Sequence, residues 1–304
     1  MSNGAESVWR ARPEAGSAFG IRFLELVGRL FGRRVLWWLL YPTALYFFLV
    51  RGAERRASTD YLKRVNGRKV SWTEGVRHFL CFARVTADRF LLMAGLGSNI
   101  DVRFHGVDEM HELVERGRGG LFLAAHFGSF EAARMIGHTH PDVNIRIVLD
   151  DQVNNNMMRR LAEANPAFSS SIISPHQSAA SLGVEIAAAM HEGDWVGFLA
   201  DRQFGGERTL RGELLGSIVE IPAGAFMVAA AFRAPVIAVF PVLRGRRYDV
   251  YFEVLSEGFN APRADREAAL SSMAARYLQR LEHHMRSAPY NWFNFYDFWK
   301  MPDA

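Results

Sequence analysis

The sequence predicts an α/β protein, a mixed central sheet flanked by helices, with an N-terminal helical region suited to a membrane surface. Three observations carry this. Short apolar runs alternate with helical patterns from about residue 100 to 255, a closing helix follows, and an uncharged stretch of sixteen residues lies between arginines near the amino terminus. With 304 residues, 49% of them hydrophobic, the chain is long enough for one large or two modest cores, and no segment has the composition of disorder. No internal repeat or linker divides it. Residues 1–70 therefore read as a basic, apolar attachment to an α/β body spanning 71–304.

The attachment comes first. Residues 1–69 carry 13 Arg and Lys against 5 Asp and Glu, whereas the whole chain is only +4, so the basic character is local and the remainder is net acidic. Val35–Val50 contains no charge and is bracketed by Arg33, Arg34 and Arg51, then Arg55 and Arg56. As a helix it reaches about 24 Å, against a hydrocarbon core of about 30 Å, and Pro42 interrupts it. A dipping, monotopic or marginally spanning helix fits better than a well-matched span, and basic flanks on both sides suit an anionic cytoplasmic leaflet. The competing reading is an apolar core helix. A polar start and the lack of a small-residue cleavage pattern argue against a signal peptide.

Trp72–Leu96 reads as a helix packed under the sheet, with Val76, Phe79, Leu80, Ala83, Ala87, Phe90 and Leu91 on one face. Strands are expected at Ile100–His105, Gly120–Ala125, Asn144–Leu149, Ser171–Ser174, Trp195–Ala200, Ser217–Ile221, Pro235–Leu243 and Tyr248–Leu255. Helices at 107–116, 129–139, 153–164, 177–192 and 223–232 separate most of them, and a helix at about 265–286 closes the body. Arg244-Gly-Arg-Arg-Tyr248 joins the last two strands as an antiparallel pair.

The chemistry concentrates in Leu121-Phe-Leu-Ala-Ala-His126-Phe-Gly-Ser-Phe-Glu131. Two side chains five apart on one helix lie about 140° from each other, so His126 and Glu131 cooperate only if the histidine precedes the helix. A strand over Gly120–Ala125, a turn at Phe127 and Gly128, and Ser129 as N-cap place Glu131 in the first helical turn. There the helix dipole favours the carboxylate, which is expected to accept from one ring nitrogen of His126 and leave the other as a base. The alternative is a structural histidine capping a strand. No Gly-x-Ser-x-Gly elbow is present, and the single cysteine, Cys81, sits in an apolar helical stretch, so a substrate is expected to supply the nucleophile.

At these residues the chain resembles the lysophospholipid acyltransferase superfamily, in its bacterial lipid A biosynthesis acyltransferase-like branch. His126 and Glu131 match the motif H-x4-D/E. Gly193-Asp-Trp-Val-Gly-Phe-Leu-Ala-Asp201-Arg202-Gln203 is similar to a second block, with Asp201 at the functional aspartate and Arg202 interposed before the glutamine. Gly216–Phe226 and Arg233–Val242 resemble the acceptor-side block and the strand after it. The resemblance covers roughly residues 15–260. The usual Trp-x-x-Arg-Arg-like ending is replaced by Tyr290–Trp299, which departs from true lipid A enzymes toward a subgroup linked to aryl-polyene or related lipid assembly, so the acceptor is not carried over.

The resemblance implies acyl transfer from acyl carrier protein or acyl-CoA to a hydroxyl or amine of a lipid or glycolipid, at the cytoplasmic face of a bacterial inner membrane. His126 and Glu131 would be catalytic, and Asp201, Arg202, Arg160, Gly128 and Ser129 would contact substrate. Arg160 enters because the family places an arginine in the corresponding helix. The alternatives are a thioesterase or esterase using water through the same dyad, or a non-catalytic lipid-binding protein of the same fold.

Other features rank lower. The histidine pairs 105/111, 138/140 and 283/284 lack metal-site spacing, and the glycine pairs lack nucleotide-loop context, so neither metal nor cofactor is expected, nor a nucleic-acid partner. One cysteine excludes a disulfide framework. The aromatic tail Tyr290–Trp299 reads equally as core, as a lid over an acyl chain, or as a second membrane contact.

Overall fold

A computed structural model describes residues 18–149, 171–202 and 208–299. The expected helix at 153–164, with Arg160, and Gln203 lie outside them. Two helices open the chain, α1 (Ala18–Val50) and α2 (Gly52–Asn66), followed by α3 (Trp72–Met93). The body then runs β1 (Val102–His105), α4 (Val107–Glu115), β2 (Gly120–Ala124), α5 (Phe130–Arg134), α6 (Ile136–Thr139), β3 (Ile145–Val148) and β4 (Ile172–Ile173). It continues through α7 (Ala179–His191), β5 (Trp195–Leu199), β6 (Thr209–Leu214), β7 (Ser217–Pro222), α8 (Gly224–Phe232), β8 (Val236–Arg244), β9 (Arg247–Ser256) and α9 (Arg266–Ser287).

Seven strands form one sheet in the order β1-β9-β8-β2-β5-β3-β4. Every neighbouring pair is parallel except β8–β9, the hairpin expected at Arg244–Tyr248. Because alternate side chains on a strand point to opposite faces, each strand feeds two cores. Leu121, Leu123, Val196, Ala238 and Phe240 face the layer made by α7, α8 and α9. Phe122, Trp195, Ile237, Val239 and Phe252 face the layer made by α1, α3 and α4.

The expected single strand at Ser217–Ile221 is one arm of a separate hairpin, β6–β7. Its turn residues Leu215 and Gly216 both have positive φ, 51° and 74°, the twist that two-residue hairpins favour. The Leu215 N–H donates to Glu282 on α9 at 2.7 Å, and Gly212 lies against Leu278, so the hairpin rests on that helix. The charged residues and glycine of β6 masked its alternation in the sequence.

The attachment divides along its length. α1 breaks at Gly32 (φ 73°) and keeps Pro42 inside it. Leu36, Trp37, Leu40, Ala44 and Phe48 recur at helical spacing and are buried against α3. The opposite face exposes Trp38 (73%), Tyr41, Leu45, Tyr46 (60%) and Leu49. The core reading thus holds for one face of α1 and leaves the other apolar and uncovered. No single described helix is long and apolar enough to cross a membrane; the pair Leu26–Val50 and Gly52–Asn66, bent by 97°, meets that test together.

Two devices fix these helices to the body. A capping box starts α3: the Glu74 N–H donates to Ser71 Oγ and the Ser71 N–H to the Glu74 carboxylate. Asp88 of α3, fully buried, accepts from Arg33 Nε and Nη2 at 2.7 and 2.6 Å, Trp37 Nε1 at 3.0 Å and Tyr248 Oη at 2.9 Å. One carboxylate thereby joins α1, α3 and β9. Removing one member of a buried charge pair costs about 3–5 kcal/mol. Asp88→Ala should therefore lower stability to chemical denaturation by that order, and a loss below about 1 kcal/mol would show that α1 is held by apolar packing alone.

Candidate active site

The site arises from strand register. β2 and β5 run parallel, with Ala124 opposite Leu199, and the Ala200 N–H donates to the Ala124 carbonyl at 2.9 Å. Continuing that register by two residues sets His126 opposite Asp201, outside the carboxyl ends of adjacent parallel strands, where open α/β sheets bind ligands. The chain then turns through Gly128, whose φ is 58° and whose added Cβ would stand 1.5 Å from the Pro241 carbonyl oxygen. Only glycine fits there. Ser129 caps α5 by accepting from the Ala132 N–H, so Glu131 lies in the first turn, as expected.

The partner of the histidine differs from the expectation. His126 Nδ1 lies 2.8 Å from Asp201 Oδ1, and the His126 backbone N–H donates to both Asp201 oxygens at 3.1 and 3.0 Å. Glu131 instead accepts a two-pronged contact from Arg89 of α3, Nε at 2.8 Å and Nη2 at 2.9 Å, and a bond from Ser129 Oγ at 3.2 Å. Asp201, not Glu131, orients His126 in the structure. The reason is geometric: register delivers the aspartate directly across from the histidine, while the first turn of α5 directs its carboxylate to a guanidinium on the helix packed beside it.

Asp201 is completed by the aromatic tail. Trp292 Nε1 and Asn294 Nδ2 each donate to Oδ2 at 3.0 Å. The tail is bonded to the His126 loop, with the Gly128 N–H donating to Asn291 O and the Phe293 N–H to His126 O, both at 2.8 Å. Asn291 also grips Leu243 at the end of β8. Of the three readings for Tyr290–Trp299, core describes Trp292 and Phe293, which are buried. His78 of α3 pins this segment from behind: its Nε2 lies 2.7 Å from Trp292 O and its Nδ1 2.8 Å from Ser58 Oγ. A carbonyl only accepts, so His78 Nε2 carries the proton and Nδ1 accepts from the serine. Burial pushes His78 down to about 4, which keeps it neutral.

The electrostatics set the protonation states. Burial pushes the Asp201 carboxyl up, but His126 and then Arg202 more than offset this and hold it at about 2. An ionised carboxylate only accepts, so Nδ1 of His126 is the donor and Nε2 carries the lone pair. Burial, followed by Arg202, lowers the pKa of His126 despite the pull of Asp201. Its side chain keeps 24% exposure, and among the described residues Nε2 has no hydrogen-bond partner. Burial raises the Glu131 pKa, but Arg89 outweighs it and the net shift is downward. Arg89 itself keeps 41% of its side chain exposed.

Arg202 lies beside the dyad, donating to Phe293 O at 2.7 Å and to Asn294 Oδ1. Gly128 and Ser129 are bonded within the protein: the Gly128 N–H is taken by Asn291 and the Ser129 hydroxyl by Glu131 and the helix start. Arg89, Trp292, Asn294 and His78 were not singled out in the sequence. The Asp88-Arg89 pair interrupting an apolar helix, and two asparagines inside an aromatic tail, were the available signals.

A family model described as bacterial lipid A biosynthesis acyltransferase matches residues 84–301. The chain belongs to this family. No curated protein matches it. The family match begins inside α3 and runs through the aromatic tail, so it takes in Arg89, His126, Glu131, Asp201, Arg202, Trp292 and Asn294. Membership of this family supports an acyltransferase of lipid type.

The two acidic residues have separable effects. Asp201→Asn should lower kcat by on the order of 10³–10⁴, the scale seen when an orienting carboxylate is neutralised and the ring takes the wrong tautomer. Glu131→Gln should cost less at saturating substrate, because the His126–Asp201 contact survives. Purified variants assayed beside a thermal melt decide it; the reverse order would return the orienting role to Glu131.

Proposed function

We propose that this protein transfers a fatty acyl group from an acyl thioester, carried on acyl carrier protein or coenzyme A, to a hydroxyl or amine of a lipid or glycolipid. It works docked at the cytoplasmic face of a bacterial inner membrane. The observation that carries the reading is the His126–Asp201 pair, with a buried, ionised orienting carboxylate and an Nε2 that no hydroxyl or thiol of the described residues engages.

In this mechanism the acceptor O–H or N–H meets His126 Nε2, which takes its proton as the acceptor atom attacks the thioester carbonyl. Asp201 holds the ring and stabilises the imidazolium that forms. The tetrahedral intermediate collapses with C–S cleavage, and the imidazolium returns its proton to the departing thiolate. Arg89 and Arg202 both disfavour protonation of His126, and their guanidinium N–H groups near it are donors suited to phosphate-bearing substrates and to the developing oxyanion. Glu131 and the tail anchor these two arginines.

The uncovered face of α1 supports docking to lipid. Its exposed Trp38, Tyr41 and Tyr46 are side chains that an interface favours, and contiguous exposed apolar surface of this kind marks interaction sites. Phe82 of α3, itself exposed, contacts Phe293 and Phe295 of the tail, so aromatic packing runs from the helix beneath α1 toward the catalytic residues.

Two outcomes test the proposal. His126→Ala should remove nearly all transfer with folding intact, and thiol release by the wild type should be slow until a membrane lipid extract supplies an acceptor. Rapid acceptor-independent release yielding only free fatty acid would make the protein a hydrolase. The pH dependence follows from the sign of the His126 shift: the base must be unprotonated and its pKa is lowered from 6.5, so the acid limb of kcat/KM should have its midpoint below pH 6.5. An acid limb centred above pH 7 contradicts the assignment.

A further inference from the structure

At the elbow between α1 and α2 the chain turns by 97° and leaves a recess of about 450 Å³. Arg55, Arg56, Thr59 and Lys63 of α2 line one side, and Phe48 and Trp72 the other. Arg56, Thr59 and Lys63 are three and four residues apart, so they share one helix face. Their commitments differ. Arg55 spends Nη1 on the Phe48 and Leu49 carbonyls, both at 3.0 Å, closing the end of α1. Asp60, the acidic residue of the lining, pairs with Arg64 at 2.9 Å. Arg56 and Lys63 are exposed and have no side-chain partner among the described residues.

The recess thus presents two uncommitted cations and the Thr59 hydroxyl, next to Trp72, which is 65% exposed. Tyr46, Leu49 and Val50, the last exposed residues of α1, lead up to the same elbow. Cations and a hydroxyl beside an exposed tryptophan and an apolar face match the two halves of a lipid, charged phosphate outside and acyl chains below. The Thr59 hydroxyl spends its proton on Arg55 O at 2.8 Å, so the cations are the phosphate donors.

We propose that this recess binds the phosphodiester headgroup of an anionic phospholipid through Arg56 and Lys63, giving the protein a lipid-selective dock separate from its catalytic site. The proposal rests on the reading that the exposed face of α1 lies in a lipid surface. Headgroup capture then fixes the angle at which α1 enters the interface.

The test uses the full chain and co-sedimentation with two vesicle types, phosphatidylcholine alone and phosphatidylcholine with one part in about three phosphatidylglycerol. Each basic residue near an anionic surface contributes about 1 kcal/mol, so the Arg56→Gln/Lys63→Gln double variant should bind the anionic vesicles about thirtyfold more weakly. It should bind phosphatidylcholine vesicles as the wild type does. The Arg103→Gln/Arg276→Gln pair, exposed elsewhere, should leave both affinities within about threefold of the wild type, and Arg56→Lys should retain binding. Equal losses from both pairs would mean diffuse attraction, unchanged binding by the elbow variant would mean no site, and equal loss on both vesicle types would mean no headgroup selectivity; each overturns the proposal. Binding of the wild type to phosphatidylcholine alone reads the α1 face by itself, so its failure is told apart from failure of the recess.

Discussion

The end of the fold that holds His126 converges on one buried carboxylate. Asp201 accepts from the backbone and ring of His126, from the indole of Trp292 and from the amide of Asn294, and has no solvent exposure in its side chain. A charge so placed is tolerated only because donors surround it; with fewer it would take up a proton or draw in water. The same bonds that keep it ionised tie together the end of β2, the end of β5 and the chain after α9. The site and the closure of the fold are one construction.

This explains why the aromatic tail is built as it is. Trp292 brings a donor on a large apolar body, so it fills the space between Tyr61, Phe298 and Trp299 while delivering one N–H to the carboxylate. His78 fixes the carbonyl of the same residue from α3, and Asn291 joins the tail to β8. The consequence is that the orientation of the His126 ring depends on residues more than ninety positions further along the chain. The second carboxylate, Glu131, works differently: it neutralises and steers Arg89, a cation that stays partly exposed at the mouth of the site.

What the sequence made legible was local. The strand, turn, N-cap and first helical turn around His126–Glu131 follow from short-range chemistry, and each stands where that chemistry predicts it. The α/β alternation was equally readable, because strand and helix periods differ. The partner of His126 was not, since Asp201 becomes its neighbour only through the pairing of β2 with β5, and strand order is a property of the whole sheet. The roles of Trp292 and Asn294 were hidden in a run whose aromatic content fits several environments. α1 showed the limit of composition in another way: an apolar run that reads as core or as interface packs one face on α3 and leaves the other uncovered. Strand β6 was missed because charged residues and Gly212 break its pattern, while its stability comes from α9 beneath it.

The central claim is that Asp201 sets the tautomer of His126. Nitrogen-15 NMR of the histidine ring in the full-length protein tests it directly, comparing the wild type with Glu131→Gln and Asp201→Asn at a pH where the ring is neutral. The account predicts a protonated, hydrogen-bonded Nδ1 and a bare Nε2 in the wild type, retained in Glu131→Gln and lost in Asp201→Asn. A ring protonated at Nε2 in the wild type, or a tautomer that changes with Glu131 and not with Asp201, would contradict it.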